Sequence, residues 1–255
     1  MKKKKKKKIG ITIKRLAKFT SKSLNKAYED YKSTQKIKVK KEIKLREDQI
    51  KKEIEKILNL NQKFQDNLHA ILIHNYEELN KKKLIKCFEV FENAKKNKLL
   101  KKFGISIYNP LKLKIIWKKA RPDIIQSPLN IFDQRIVKTG WLKKIYKSST
   151  ELHVRSCFLQ GTLLKKKIPN YLKNKKKHFN KWFEWCDSNK LNPLVASLNF
   201  VKKYEKKIDY IIVGFDDLNQ FNELLKVYNS KIKIKFKDMS TKDLKLIDPR
   251  RWNKK

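Results

Sequence analysis

Short apolar runs alternate with longer segments of helical periodicity from about residue 36 to the end of the chain. Near-continuous apolar runs such as Ala70–Ile73 and Tyr210–Val213 are typical of strands that are buried on both faces. Their length and their residue types predict β-strands. The predicted strands are Ile37–Lys40, His69–His74, Phe103–Ile107, Asp123–Ser127, Glu151–Ser156 and Tyr210–Gly214, with an earlier one at Ile9–Ile13.

Between these strands, apolar residues recur with the 3.6-residue period of an amphipathic helix. Pro110 and Pro193 stand where a helix begins, because the first helical residue does not need its N–H group. The alternation of strands and helices predicts an α/β fold with a parallel sheet, and 255 residues are enough for one large domain. The predicted helices are Glu42–Leu58, Leu84–Lys98, one that starts at Pro110, Leu194–Tyr204 and Leu218–Val227.

Positive charge dominates the chain, with 67 Lys and Arg residues against 25 Asp and Glu residues and a net charge of +42. Such a charge indicates nucleic acid or an acidic membrane surface as a partner. Nucleic-acid-binding proteins usually enrich Arg for its bidentate hydrogen bonds, whereas here Lys vastly outnumbers Arg and is spread along the chain. That distribution favours the codon bias of an A/T-rich genome. We expect salt-sensitive, non-specific adhesion to polyanions and no specific nucleic-acid site.

Membrane and disulfide features are both absent from the sequence pattern. No apolar run reaches the roughly 18–20 residues that cross a bilayer, so no membrane span is predicted. The run Ile9–Ile13 is too short for the apolar part of a secretory signal. Three distant cysteines without CxxC spacing, Cys87, Cys157 and Cys186, favour a reduced cytoplasmic protein with no metal site.

The segment Lys165–Lys190 is very basic and carries Trp182, Phe183 and Trp185 among its lysines. Interleaved lysines and aromatic residues could stack nucleic-acid bases. Their periodicity instead favours an amphipathic helix that packs the aromatic side chains inward.

Seven segments, taken together and in order, resemble bacterial aldo/keto reductases of the kind associated with surface-polysaccharide synthesis. They are LHAILIHNYEEL, KKFGISIYNP, PDIIQSPLNIFDQRIVKTGWL, ELHVRSCFLQGTLL, NPLVASLNFV, IDYIIVGFDDLNQFNELL and IDPRRW. The resemblance implies a (β/α)8 TIM-barrel-like fold with its reaction at the carboxyl ends of the strands. It also implies hydride transfer between NADPH or NADH and a small carbonyl compound or sugar.

The resemblance assigns two catalytic residues. In the family, a Tyr protonates the carbonyl oxygen, a Lys held by an Asp lowers the pKa of that Tyr, and a His orients the carbonyl. His74 matches this His, although a hydrogen-bonded histidine that closes a strand explains it equally well without the resemblance. Lys40 aligns with the family Lys, but Lys38 or Lys41 could be aligned there too, and each could be a solvated surface lysine.

The resemblance assigns six further residues to the cofactor. Ser106 and Gln126 match positions whose side chains hold the nicotinamide carboxamide, and ordinary capping of strand ends is the alternative. The segment VGFDDLNQ matches the loop that meets the cofactor phosphates, where a glycine and a helix N-terminus favour close approach of an anion. Its assigned residues are Gly214, Asp216, Asp217 and Gln220.

Asp216 and Asp217 are also good helix N-caps, and their negative charge opposes a nearby phosphate. The family segment that carries the Asp and the Tyr is matched best by RLAKFTSKSLNK, with Arg15 at the Asp position, Thr20 at the Tyr position and Ser23 as the small polar residue beyond. Thr20 is too weak an acid to replace a phenol. We therefore expect impaired catalysis.

The family's first strand and helix have no counterpart before this segment, where the chain has the lysine run Met1–Lys8. We expect an N-terminally truncated and partly degenerate copy, with a basic tail at residues 1–8 and a single, incomplete barrel domain at 9–255. The alternative is a non-enzymatic, basic barrel remnant that binds an acidic partner, either a nucleic acid or a glycan.

Overall fold

The computed structural model describes residues 9–12, 69–74, 76, 81–118, 121–230 and 232–252, together with the single positions 52 and 56. Lys52 and Lys56 are helical and fall within the predicted helix Glu42–Leu58. Several predictions concern residues outside the described part of the chain. These are the strand Ile37–Lys40, the rest of the helix Glu42–Leu58, the lysine run Met1–Lys8, the catalytic candidate Lys40, and Arg15, Thr20 and Ser23.

Five parallel strands form a curled sheet that makes up half of a barrel. Each predicted strand in this region is present, with ends that differ from the prediction by one residue at most. The order across the sheet is β2, β3, β4, β5 and β6, which is also the order along the chain, as in a β/α barrel. The strands are β2 (Ala70–Ile73), β3 (Lys102–Ser106), β4 (Ile124–Pro128), β5 (Glu151–Arg155) and β6 (Tyr210–Phe215).

The strand β1 (Ile9–Thr12) corrects the expectation of an all-parallel sheet. It pairs with β6 in the antiparallel direction, with Ile9 opposite Phe215 and Gly10 opposite Gly214. A short apolar run indicates a strand but contains no information on its direction, which depends on the path of the chain between elements.

Helices alternate with the parallel strands. Asn109 and Asn192 cap two helix starts, each accepting a hydrogen bond from the N–H group two residues on, and a proline follows each asparagine as predicted. The helices in the described residues are α1 (Lys81–Lys96), α2 (Leu113–Trp117), α3 (Arg135–Lys138), α4 (Trp141–Tyr146), α5 (Lys176–Ser188), α6 (Pro193–Lys202), α7 (Leu218–Asn229) and α8 (Leu244–Ile247). Short 3-10 turns occupy Pro110–Lys112, Asn170–Lys175, Glu205–Lys207 and Pro249–Arg251.

The two faces of the sheet differ because side chains alternate along each strand. On the outer face, the Phe103 ring lies 5.3 Å from the Phe88 ring and 5.4 Å from the Phe91 ring, both on α1. On the inner face, Lys102 forms an ion pair with Glu151, reaching from β3 past β4 to β5. The outer face therefore carries the apolar core, and the inner face carries polar side chains among apolar ones such as Ile124.

Gly104 lies in the middle of β3. A Cβ atom there would lie 2.3 Å from the carbonyl oxygen of Ile124 on the adjacent strand. Only glycine allows the two strands to approach this closely.

The basic segment Lys165–Lys190 folds as the favoured interpretation predicted. Its second half forms α5, in which Trp182 is fully buried and Phe183 is buried. The Trp182 indole N–H donates to the carbonyl of Leu163 at 2.9 Å. These aromatic rings stabilise the core, so they are not exposed for stacking on nucleic-acid bases.

Candidate cofactor and carbonyl site

The register of β3 and β4 brings two of the predicted cofactor residues together. Ser106 is paired with Gln126 across the two strands, and the Ser106 Oγ donates to Gln126 Oε1 at 3.2 Å. The Ser106 side chain is buried and Gln126 is half-buried. Gln126 Nε2 makes no hydrogen bond with any residue that the structure describes. The pair therefore offers an amide donor and a hydroxyl lone pair at the carboxyl end of the sheet.

His74 follows directly after β2, next to this pair. Ile73 is paired with Ile105, so His74 and Ser106 each lie one residue beyond the last paired position of β2 and β3. The imidazole meets the ring of Tyr108 edge-on, with the ring centroids 6.2 Å apart. The carboxyl ends of three neighbouring strands thus carry His74, Ser106 and Gln126.

Three other predicted residues line a cavity of about 490 Å³ beside the end of β6. They are Gly214, Asp216 and Gln220. The loop after β5 contributes Lys165 and Lys167 to the same cavity. His74, Ser106 and Gln126 are not among the described residues that line this cavity. The predicted residues therefore form two neighbouring groups at the rim.

The start of α7 forms one wall of this cavity and is held by a small hydrogen-bond network. Asp217 is the N-cap, and its carboxylate accepts from the backbone N–H of Gln220 at 2.9 Å. The Gln220 side chain accepts from the backbone N–H of Asp216 at 3.1 Å. Asp217 therefore caps the helix as predicted, whereas Asp216 does not, and its carboxylate lies against the cavity.

Two arginines that the sequence analysis did not single out lie at the same rim. The guanidinium carbon of Arg155 lies 4.2 Å from the centre of the Tyr108 ring, and that of Arg250 lies 3.6 Å from it. Arg155 donates to the carbonyl of Ile107 at 3.2 Å and to the hydroxyl of Ser156 at 3.1 Å. Burial lowers the pKa of Arg155 from its usual value.

Arg250 is held by Asp248 in the segment after α8. Its Nε and Nη2 donate to the two oxygens of the buried Asp248 carboxylate at 2.9 and 2.7 Å. Burial raises the pKa of Asp248, but the hydrogen bonds from Arg250 outweigh it and hold the pKa below its usual value. The bidentate pair orients the Arg250 guanidinium, whose contact with the Tyr108 ring joins the C-terminal segment to the rim.

A second polar cluster lies deeper on the inner face. Glu151 Oε2 and His153 Nε2 are 3.0 Å apart, and the His153 ring meets the Tyr210 ring edge-on at 4.6 Å. Burial lowers the pKa of His153, which outweighs the opposing effect of Glu151. Burial raises the pKa of Glu151, but hydrogen bonds from Lys102 and His153 bring it below its usual value.

Arg155 was detectable from the strand pattern alone. In ELHVR the charged or polar residues Glu151, His153 and Arg155 alternate with buried Leu152 and Val154, which places all three on the inner face. Lys165 and Lys167 gave no such sign, because their place at the cavity depends on how a long loop folds back over the sheet.

The residues present fit a nicotinamide dinucleotide. A carboxamide needs one donor and one acceptor, and Gln126 Nε2 and the Ser106 hydroxyl can supply them. Beside Gly214, Lys165 and Lys167 offset the carboxylates of Asp216 and Glu223, and the α7 N-terminus adds backbone N–H donors.

Within the described residues, no three His, Cys, Asp or Glu side chains lie together as metal ligands. The three cysteines are buried and unpaired. None of the helices in the described part of the chain is both long enough and apolar enough to span a bilayer.

A curled parallel sheet with polar residues at its carboxyl ends defines a protein of the β/α-barrel class. A sequence model of the aldo/keto reductase family matches residues 2–245. The chain therefore belongs to the aldo/keto reductase family, which confirms the resemblance. A search of curated protein sequences gave no match.

Solved structures support the same fold. The aldo-keto reductase AKR11C1 from Bacillus halodurans, in its apo form, superposes with a TM-score of 0.59 at 16% identity, over 72% of this chain and 65% of that one. The glycerol dehydrogenase AKR11B4 from Gluconobacter oxydans gives a TM-score of 0.55 at 13% identity, over 72% and 61%. This chain thus spans about two thirds or less of the length of these relatives, and at such identities the likeness concerns the fold alone.

Proposed function

We propose that this protein binds NADPH or NADH along the carboxyl rim of its sheet and transfers hydride between that cofactor and a small carbonyl compound or sugar. The observation that carries the proposal is the hydrogen-bonded pair of Ser106 and Gln126, which lies next to His74 at this rim of an aldo/keto-reductase fold. Cofactor phosphates would occupy the cavity at Gly214, near Lys165 and Lys167.

The residues of the chain hold and orient the reactants. The Gln126 amide and the Ser106 hydroxyl would fix the nicotinamide ring, and the bound cofactor supplies the hydride. His74 would donate a hydrogen bond to the carbonyl oxygen, where negative charge develops during the transfer. Lys40 is the second proposed catalytic residue, and Asp217 and Gln220 would hold the loop at the phosphates.

We further propose that catalysis is impaired. Thr20 and Arg15 stand where the family has its Tyr and Asp, and acid–base catalysis contributes about 10²–10⁴-fold to a rate. Cofactor binding should survive this loss, because the residues proposed for it are separate. The three buried, unpaired cysteines support a reducing compartment, which we take to be the cytoplasm.

Cofactor titration tests the proposal most simply. The fluorescence of NADPH or NADH is followed as the purified protein is added. We expect saturable binding of at least one of them, with a dissociation constant below about 1 mM, the top of the usual range. Gln126→Leu should weaken binding, whereas Asn93→Leu, which changes an exposed amide on the outer helix α1, gives a matched comparison. No binding of either nucleotide at millimolar concentration would contradict the proposal.

A second candidate function is non-enzymatic binding of a nucleic acid or an acidic glycan. The net charge of +42 favours it, as do the exposed lysines of the basic segment. Those lysines are Lys165, Lys166, Lys167, Lys173, Lys176, Lys177, Lys181 and Lys190. This second function predicts an affinity for RNA that falls steeply with salt concentration, which fluorescence anisotropy measures. Negligible affinity at physiological salt would exclude it.

A further inference from the structure

Arg155 carries a half-buried positive charge that forms no direct ion pair with a carboxylate of the described residues, and the nearby Asp133 acts on it only at longer range. It is on the inner face at the carboxyl end of β5, and its hydrogen bonds go to neutral acceptors on Ile107 and Ser156. The neighbouring buried acids are already occupied, Asp133 by Arg135 and Asp248 by Arg250. A charge removed from water without a counterion is costly, so a bound anion would stabilise this site.

A second guanidinium lies at the same point. Arg155 and Arg250 both contact the ring of Tyr108, with their guanidinium carbons 4.2 and 3.6 Å from its centre. Asp248 offsets the charge of Arg250, so the positive charge of Arg155 is the one that stays without a direct counterion here. An anion that approaches both guanidiniums would balance the remaining positive charge, and the planar donor fork of Arg155 suits a carboxylate or a phosphate.

His74 contacts the same ring, edge-on, with its centroid 6.2 Å from that of Tyr108. We propose that the carbonyl compound bound at His74 carries an anionic group, a carboxylate or a phosphate, and that Arg155 and Arg250 bind this group. The inference rests on the proposed carbonyl site and adds the substrate class. It makes Arg155 a specificity-determining residue.

The cofactor phosphates are the competing anion. The cavity assigned to them is bounded by Gly214, Lys165 and Lys167. Arg155, Arg250 and Tyr108 are not among the described residues that line it. Arg155 instead reaches from β5 past β4 to the carbonyl of Ile107, which lies next to Ser106. The two cationic sites are therefore separate along the rim, and the one at Arg155 is on the side of the candidate catalytic histidine.

The test uses the full-length protein and three benzaldehydes of the same size that differ in one substituent. They carry a 4-carboxylate, a 4-phosphate or a neutral 4-carboxamide. Dissociation constants are measured by saturation-transfer NMR, with and without NADPH. We expect the better of the two anionic probes to bind about 10- to 100-fold more tightly than the carboxamide, as for a charge-assisted hydrogen bond. The preferred anion identifies the substrate group.

Two substitutions locate the effect. Arg155→Met removes the charge at similar length and should abolish the preference, and Arg155→Lys, which keeps the charge but loses the fork, should restore it in part. Arg121→Met is the matched control, because Arg121 is exposed and precedes β4 at the amino end of the sheet. Its preference should equal that of the unchanged protein. Thermal unfolding shows whether each variant is folded.

Equal affinity of the unchanged protein for the acids and the carboxamide overturns the inference, whether or not the variants fold. An unchanged preference in folded Arg155→Met overturns it too, and accompanying loss of NADPH binding would assign Arg155 to the cofactor. Preference for the anion without any cofactor binding would support the anion site and contradict the proposed oxidoreductase function. The two proposals therefore fail separately.

Discussion

The outer and inner faces of the same five strands differ in the kind of side chain that they carry. On the outer face, Phe103 and Ile105 are almost completely buried against the helices. On the inner face, the same strand presents Lys102, Gly104 and Ser106. Apolar burial on one side supplies stability, and this leaves the other side free to hold polar residues in fixed positions. The following predictions, from the largest effect to the smallest, test this division.

The largest effect is expected on the outer face. Phe103→Ala removes a ring that is 1% exposed and packs on Phe88 and Phe91, so it should lower the free energy of unfolding by about 3–5 kcal/mol. Urea denaturation measures the change. Lys101→Ala, an exposed neighbour, should change stability by less than about 0.5 kcal/mol. Similar losses in both variants would contradict the claim that outer-face packing is the main source of stability.

Gly104 sharpens the comparison because it is on the inner face yet is needed for structure. Gly104→Ala would place a methyl group 2.3 Å from the Ile124 carbonyl oxygen and force β3 and β4 apart, at a cost of about 1–3 kcal/mol. The shift should also weaken cofactor binding, since Ser106 and Gln126 are the next pair on the same face of these strands. A variant with unchanged stability in urea and unchanged affinity for NADPH would contradict this account of the glycine.

Gln126→Leu should separate binding from stability. It replaces the half-buried amide that we assign to the nicotinamide, so the dissociation constant for NADPH should rise about tenfold, as for one lost hydrogen bond to a buried group. The melting temperature should fall only slightly, because a leucine of similar size fills the space and the Ser106 hydroxyl loses one long hydrogen bond. A large stability loss with unchanged cofactor affinity would assign Gln126 to the structure and not to the site.

The smallest effect concerns pH. Burial lowers the pKa of His153, so the folded protein binds fewer protons than the unfolded chain as the pH falls below about 6.5, and stability decreases over that range. Glu151 acts in the same direction at lower pH, because its folded pKa lies below the unfolded value. His153→Gln should flatten the stability profile below about pH 6.5. An identical profile in the variant would show that His153 does not titrate as proposed.

The strands were predictable from the sequence to within a residue, because buried parallel strands leave compact apolar runs such as Tyr210–Val213. The direction of β1 was not, because a run of four residues fits either direction. At the site, Ser106 and Gln126 were placed next to each other by motifs at two strand ends. Lys165 and Lys167 could not be found in this way, because loop folding brings them to the cavity.

The account depends most on the claim that the inner face at the carboxyl rim holds the nicotinamide. A crystal structure of the protein grown with NADPH or NADH tests it directly. We predict that the carboxamide lies within hydrogen-bonding distance of Ser106 and Gln126, with the phosphates beside Gly214. A nucleotide bound elsewhere, or a rim that stays empty at saturating cofactor, would contradict it.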